Sequence, residues 1–179
     1  LGERISNIVM MGIGEPLDNY DNVIKFLHNV NREGGLNIGF RHITLSSCGL
    51  APEIKRLAGE KLPITLTISL HAPNDEIRDT IMPVNKRYKI AELMEACGEY
   101  AEISGRRLSF EYSLIHGVND SLENAKELAE LIRPLHAHVN LIPVNKVEER
   151  EYKKGTDLEI NAFRGMLEKL GINATVRRE

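Results

Sequence analysis

The sequence predicts an α/β fold, a truncated partial (β/α) barrel of about six parallel strands and five helices. Three observations predict it. Short apolar runs alternate with segments of helical spacing along the whole chain, and repeated β–α units imply a parallel sheet. After the first strand, each run alternates apolar with small polar residues, whereas a doubly wound sheet lies under helices on both faces and reads continuously apolar. The chain's 179 residues also fall short of the roughly 250 of an eight-unit barrel.

The elements follow in order. Residues 8–11 read as a buried-type strand, and Val23, Ile24, Leu27 and Val30 then take helical spacing. Residues 42–48 form the second strand, followed by a helix that starts at Pro52 and carries Ile54, Leu57 and Ala58. In the third strand, 64–71, Ile64, Leu66, Ile68 and Leu70 alternate with Thr65, Thr67, Ser69 and His71 before Pro73. Residues 72–89 show no strong period and read as a long loop at a strand's carboxyl end, where barrel sites sit. Ile90, Leu93, Met94, Cys97, Tyr100 and Ala101 make a helical stripe. A strand over 108–114 precedes a helix opened by Asp120 and Glu123 in capping-box spacing. The strand 139–142 ends at Pro143 and leads into a second long loop, 143–155. Thr156 with Glu159 opens the last helix, Gly171 caps it, and 172–176 is the final strand.

Composition bounds the function. Hydrophobic content of 42% and charged content of 27% are those of an ordinary globular domain. No apolar run approaches the ~20 residues of a membrane span. The chain starts at Leu1 without a Met, which reads as a piece of a longer protein. Two distant cysteines, Cys48 and Cys97, make neither a disulfide framework nor a metal-ligand spacing and fit a reducing cytoplasm. A net charge of −3 argues mildly against a nucleic-acid binder, which usually shows a basic excess.

The polar strand faces supply the candidate site. Thr44 and Ser46 share a face, as do Ser109, Glu111 and Ser113, and His138 and Asn140. Gly12-Ile13-Gly14-Glu15-Pro16 follows a strand. Its glycines let backbone approach a ligand, and Glu15 could accept hydrogen bonds from an ammonium group. It is no dinucleotide fingerprint, because Leu17 stands where the third glycine belongs. From the residues alone the plainer readings are favoured: Glu15 a solvated turn residue and His71 a satisfied core histidine. Glu111 on an inner face needs a partner or ligand, with Arg41 or Arg107 as the ion-pair candidates. Cys48 reads as a core or cavity-wall residue, and Asn140 and Asn145 as turn formers. The Arg106-Arg107 and Arg177-Arg178 pairs read as solvated surface. Lys86 and Arg87, in the long loop, could hold a phosphate.

Several strings carry a resemblance. Val9-Met10-Met11-Gly12-Ile13-Gly14-Glu15-Pro16-Leu17, Arg41-His42-Ile43-Thr44-Leu45-Ser46, the segment from Ser69-Leu70-His71-Ala72-Pro73 through Asn74-Asp75-Glu76-Ile77-Arg78, Ile81-Met82-Pro83-Val84-Asn85, Gly117-Val118-Asn119-Asp120 and Val139-Asn140-Leu141-Ile142-Pro143-Val144-Asn145 come in family order. Together they resemble the radical S-adenosylmethionine (SAM) RNA methyltransferases of the RlmN/Cfr family, from about Asn7 onward. Glu15-Pro16 and Ala72-Pro73 resemble the branch that methylates carbon 2 of adenine; the other branch methylates carbon 8. The resemblance implies one radical SAM core domain over residues 1–179. It assigns Gly14, Glu15, Ser46, Ser69, Leu70, His71 and Asn145 to SAM. It implies 23S rRNA and tRNA as partners, an electron donor such as flavodoxin or ferredoxin, and a cytoplasmic monomer. In the family one SAM is cleaved reductively at a [4Fe-4S] cluster. Another methylates a cysteine whose methyl group then adds to the adenine, and a second cysteine resolves the adduct.

The chain departs from that pattern. No CxxxCxxC spacing occurs in it; the family places those cluster ligands, and the resolving cysteine, before Leu1, and the methyl-carrying cysteine after Glu179. No residue of this chain is therefore assigned to catalysis or metal binding. The expectation is a SAM-binding wall, inactive alone, of a complete enzyme with a separate N-terminal domain that adds RNA contacts. Lys146 stands where a proline often follows the asparagine. The rivals are a carbon-8 methyltransferase, another radical SAM enzyme, an aldolase-type barrel using His71 and Glu111, and a non-catalytic SAM-binding module. The aldolase reading lacks a Schiff-base lysine or metal ligands on inner strand positions.

Overall fold

Six strands pair in the order of the chain: β1 (Ile8–Met10), β2 (Ile43–Ser47), β3 (Thr65–Ser69), β4 (Ser109–Leu114), β5 (His138–Pro143) and β6 (Asn173–Val176). All five pairings are parallel. This computed structural model describes residues 4–145 and 152–177; Lys146 and Arg178, both singled out in the sequence, lie outside the described residues. A doubly wound sheet reverses its strand order at a switch point. Here nothing reverses, so right-handed crossovers carry the connecting helices to one side, as in a partial barrel of the predicted kind.

The connecting helices are α1 (Tyr20–Asn31), α2 (Ala51–Gly59), α3 (Asp75–Ile81), α4 (Ile90–Ser104), α5 (Leu122–Ile132) and α6 (Asp157–Lys169). The strand residues that alternate toward them are buried: Ile43, Leu45, Leu66, Ile68, Phe110, Tyr112, Val139 and Leu141 are fully inaccessible. They join Leu57, Leu93, Leu128 and Phe163 from the helices in one core. Each such side chain removed from water contributes roughly 1.5–3 kcal/mol. The opposite face is partly accessible, Thr67 and Glu111 being buried, and register lines it up in polar rows. Ser46, Thr67, Ser109, His138 and Asn173 are neighbours across β2 to β6, and Ser69, Glu111, Asn140 and Thr175 across β3 to β6.

Four expectations need correction. Residues 72–89 are not a loop but hold α3 and a 3-10 turn, Pro83–Lys86. Asn74 caps α3 by accepting from the Ile77 amide at 3.0 Å, and Asp75 and Glu76 fill its first turn. A seven-residue helix with apolar side chains only at Ile77 and Ile81 is too short to show a period. The α5 capping box is Ser121 with Asn124, one residue beyond the expected pair. Asp120 instead accepts the Gly117 amide at 2.9 Å. The first strand is not buried on both faces: Val9 is 60% exposed at the sheet's edge. The third strand ends at Ser69, not at His71. The Thr156–Glu159 box of α6 forms as predicted.

Candidate cofactor site

The carboxyl ends of β1 to β5 open into a cavity of about 800 Å³, with Gly12, Gly14, Glu15, Ser46, Cys48, Ser69, His71, Glu111 and Ser113 on its wall. Five of the seven predicted residues meet here: Gly14, Glu15, Ser46, Ser69 and His71. Asn145 lies in an adjoining cavity of about 790 Å³ that shares Ile142 and Arg177 with the first. Leu70, the seventh, is not on the wall of either cavity: its side chain is fully buried in the core, and its amide and carbonyl are taken by Glu111 and Arg78. Lys86 and Arg87 are exposed and are not on the wall of this cavity.

On the first wall, Glu15 caps a 3-10 turn at Pro16–Asn19. Its Oε1 accepts from the Leu17 amide at 3.0 Å and its Oε2 from the Cys48 amide at 2.6 Å. One donor per oxygen leaves acceptor capacity for a cation. Gly14 has φ +88°, and a Cβ built on it would meet nothing within 4 Å. The backbone is open there to a ligand's approach.

The second wall is tied from several directions. His71 takes φ +60°. Its Nδ1 accepts from the Ser113 amide at 3.0 Å, so the neutral ring carries its proton on Nε2. Burial, helped by the charge of Arg78, lowers its pKa to about 4. Buried Asn119 donates to the carbonyls of His71 and Ser113 at 2.8 and 2.7 Å and accepts from the Ile115 amide at 2.7 Å. Tyr112 donates its hydroxyl to the Asn119 carbonyl at 2.8 Å. The Glu111 carbonyl receives the amides of Leu70 and His71 at 3.1 and 3.2 Å.

Glu111 is 8% exposed. Burial raises its pKa, opposed by Arg177 and by a hydrogen bond from the Ser69 hydroxyl. Its charge partner is thus Arg177, not Arg41 or Arg107. Arg177 is exposed, as expected, and stands on the wall of both cavities. Arg106, expected at a solvated surface, is half-buried and donates to Thr65 Oγ1 at 3.0 Å.

Sequence reasoning missed Arg78, which is fully buried. Its Nε donates to the Leu70 carbonyl at 3.0 Å, Nη2 to the carbonyls of Cys48 and Ser69 at 2.8 and 3.2 Å, and Nη1 to Asn85 Oδ1 at 2.9 Å. Gly49, at φ +106°, makes room: a Cβ there would stand 3.2 Å from Arg78 Nη2. The available signal was the Asn74 cap, which would have placed Arg78 on a helix facing the β2 and β3 ends.

The wall fits a ligand with a cationic amine and several hydroxyls: a carboxylate with spare acceptors, two serines, a neutral imidazole and an open glycine backbone. It does not fit an iron–sulfur cluster, which needs several thiolates. Burial holds both thiols protonated, Cys97 near about 12 and Cys48, with the Glu15 carboxylate adding to burial, likewise near about 12. Among the described residues, no helix is long and apolar enough to cross a membrane.

Residues 1–132 match the sequence profile of the Radical SAM superfamily. A relative from Desulforamulus reducens named probable dual-specificity RNA methyltransferase RlmN is 60% identical over 178 residues, covering 99% of this chain and 51% of the relative. One of the same name from Clostridium perfringens is 58% identical over 179 residues, 100% of this chain and 52% of its own. The chain spans about half the length of the curated relatives it matches. The crystal structure of a radical SAM methyltransferase from Sphaerobacter thermophilus superposes with a TM-score of 0.94 at 48% identity, over 98% of this chain and 52% of that one. SuiB from Streptococcus suis, bound to S-adenosylmethionine, shares the fold, with a TM-score of 0.70 at 17% identity over 96% of this chain and 39% of that one.

Proposed function

The chain belongs to the radical SAM superfamily, and from that premise we propose that it is the SAM-binding part of an RNA methyltransferase that modifies carbon 2 of adenine in 23S rRNA and tRNA. We read residues 1–179 as one radical SAM core domain. The observation that carries the reading is the cavity at the strand ends: five residues that the family resemblance assigns to SAM line this one cavity. The names of relatives 58–60% identical to the chain give the RNA substrate class.

SAM, when bound, supplies the methyl group and the sulfonium that make transfer possible. Glu15 takes the amino group of the methionyl part, with Gly14 leaving the approach clear. Ser46 and Ser69 offer hydroxyls to the ribose and carboxylate, and His71 offers its Nε2 proton. Asn145 holds the far end from the adjoining cavity. Carbonyls of Cys48, Ser69 and Leu70 are already taken by Arg78, so they do not compete for the ligand. The iron–sulfur cluster and the methyl-carrying cysteine come from outside these residues, so the chain is inactive alone. An electron donor such as flavodoxin or ferredoxin, a monomeric state and a cytoplasmic setting belong to the same reading. The −3 charge is compatible with it, since RNA enzymes recognise shape and a base extruded from its stack.

The test grafts residues 1–179 in place of the matching half of the Desulforamulus reducens relative, in cells lacking adenine-C2 methylation. Ribosomal and transfer RNA are digested and analysed by mass spectrometry. 2-Methyladenosine is the expected product. 8-Methyladenosine would move the chain to the carbon-8 branch. No new methyladenosine from a soluble, cluster-loaded chimera would overturn the reading.

A further inference from the structure

We propose that Arg78 is a positioning residue of the cofactor site: one buried guanidinium, clamped by Asn85, fixes the ends of β2 and β3 and so sets where Ser69 and His71 meet the ligand. The inference rests on the SAM reading of this cavity.

Three features carry it. The first is reach. The carbonyls of Cys48, Ser69 and Leu70 belong to two strand ends, and all three accept from the same side chain within 3.2 Å. The planar fork of an arginine can span them, whereas an ammonium is a point donor. The second is that the fork is itself held. Asn85 accepts from Nη1 and donates to Asp75 at 2.9 Å and to Asp79 at 2.7 Å. Asp75 also accepts the Ile90 amide at 3.0 Å, and Lys89 pairs with Asp79 at 2.7 Å. The guanidinium is thereby tied to α3, the 3-10 turn and the start of α4.

The third is a charge with no direct ion pair: Asp75 and Asp79 act on it only at a distance, through Asn85. Among the described residues no carboxylate lies within ion-pair distance of Arg78. Carbonyl dipoles and the Asn85 oxygen satisfy it, and at the cavity wall burial, with the guanidinium's field as the smaller addition, favours the neutral form of His71. A buried arginine remains protonated. Arg78 is not on the cavity wall, so it acts through the residues it holds.

A staple for the fold alone would lower stability and leave the site unchanged in any variant that folds. The test therefore reads the site. Arg78→Lys, Arg78→Met and Asn85→Ala are made in the 179-residue chain. SAM affinity is measured by calorimetry and the His71 titration by NMR of its ring protons. Arg78→Lys keeps the charge but cannot span three carbonyls, and SAM binding is expected to weaken at least tenfold (~1.4 kcal/mol). Arg78→Met removes the field, and the His71 midpoint is expected to rise above about 4 while burial still holds it below its ordinary value. Should the Met variant fail to fold, Asn85→Ala removes the Nη1 acceptor without adding charge, and the unclamped fork is expected to weaken SAM binding in the same direction. Folded variants that bind SAM within twofold of the parent, with His71 unmoved, overturn the inference. If the parent chain itself binds no SAM, the cofactor reading fails, while the His71 titration still decides the role of Arg78.

Discussion

The two walls of the cavity are built on opposite plans. The wall at the end of β1 is spare: Glu15 holds it with two hydrogen bonds, and Gly12 and Gly14 leave open space around their backbone. The wall at the ends of β3 and β4 is overdetermined. Arg78 and Asn119 are inaccessible, and between them they make seven side-chain hydrogen bonds, six of them to backbone. Buried polar groups of this kind are costly to leave unpaired. The contrast separates two roles. On the first wall a side chain can serve a ligand with little consequence for folding; on the second, site and fold share the same bonds.

The largest effect that could break this comparison belongs to Asn119. Asn119→Leu keeps the shape and orphans the Ile115 amide and the carbonyls of His71 and Ser113, at an expected cost of about 3–5 kcal/mol by urea denaturation. A cost below about 1 kcal/mol would show that the second wall is no more critical than the first.

A somewhat smaller effect comes from pH. His71 has a folded pKa of about 4, below its ordinary 6.5. A depressed histidine contributes stability that is complete above the unfolded value and is lost as pH falls from about 6.5 to about 4, amounting to about 3 kcal/mol. Asn at this position tolerates the left-handed backbone and places an oxygen where Nδ1 accepts from Ser113. His71→Asn is therefore expected to remove that part of the acid loss while remaining folded. Equal acid sensitivity in both proteins would mean that His71 is not neutral in the native state.

The smallest effect on stability sharpens the contrast from the other side. Glu15→Gln keeps an acceptor for one amide and is expected to cost about 1 kcal/mol or less. Its SAM affinity should nonetheless fall at least tenfold, about 1.4 kcal/mol, in a calorimetric titration. Loss of stability matching that of Asn119→Leu would put both walls in one class.

What the sequence made legible follows the same division. Period-two alternation in 64–71 exposed a strand with a polar inner face, because every second residue was small and hydroxylated. That placed Ser69 and His71 on a polar face, and the glycines after a strand marked Gly14 and Glu15, but their assignment to a cofactor came from the family resemblance and not from the patterns. Arg78 was hidden because an arginine is usually solvent-facing and α3 is too short for periodicity. Asn119 stood out only as part of the string Gly117-Val118-Asn119-Asp120; its buried role depends on where β3 ends, which no local pattern encodes. Glu111 was recognised as needing a partner, but Arg177 lies two strands away in the sheet, beyond any sequence-local signal.

The unreversed order of the strands bears on how the molecule forms. Each strand pairs with the ones before and after it in the chain, so every β–α unit can dock on its predecessor as synthesis proceeds, and such near-neighbour contacts favour rapid folding. The cavity follows a different timetable. Its wall includes Glu15 from the first unit and Arg177 from the last, so the scaffold can be largely assembled while the binding site still waits for its final strand.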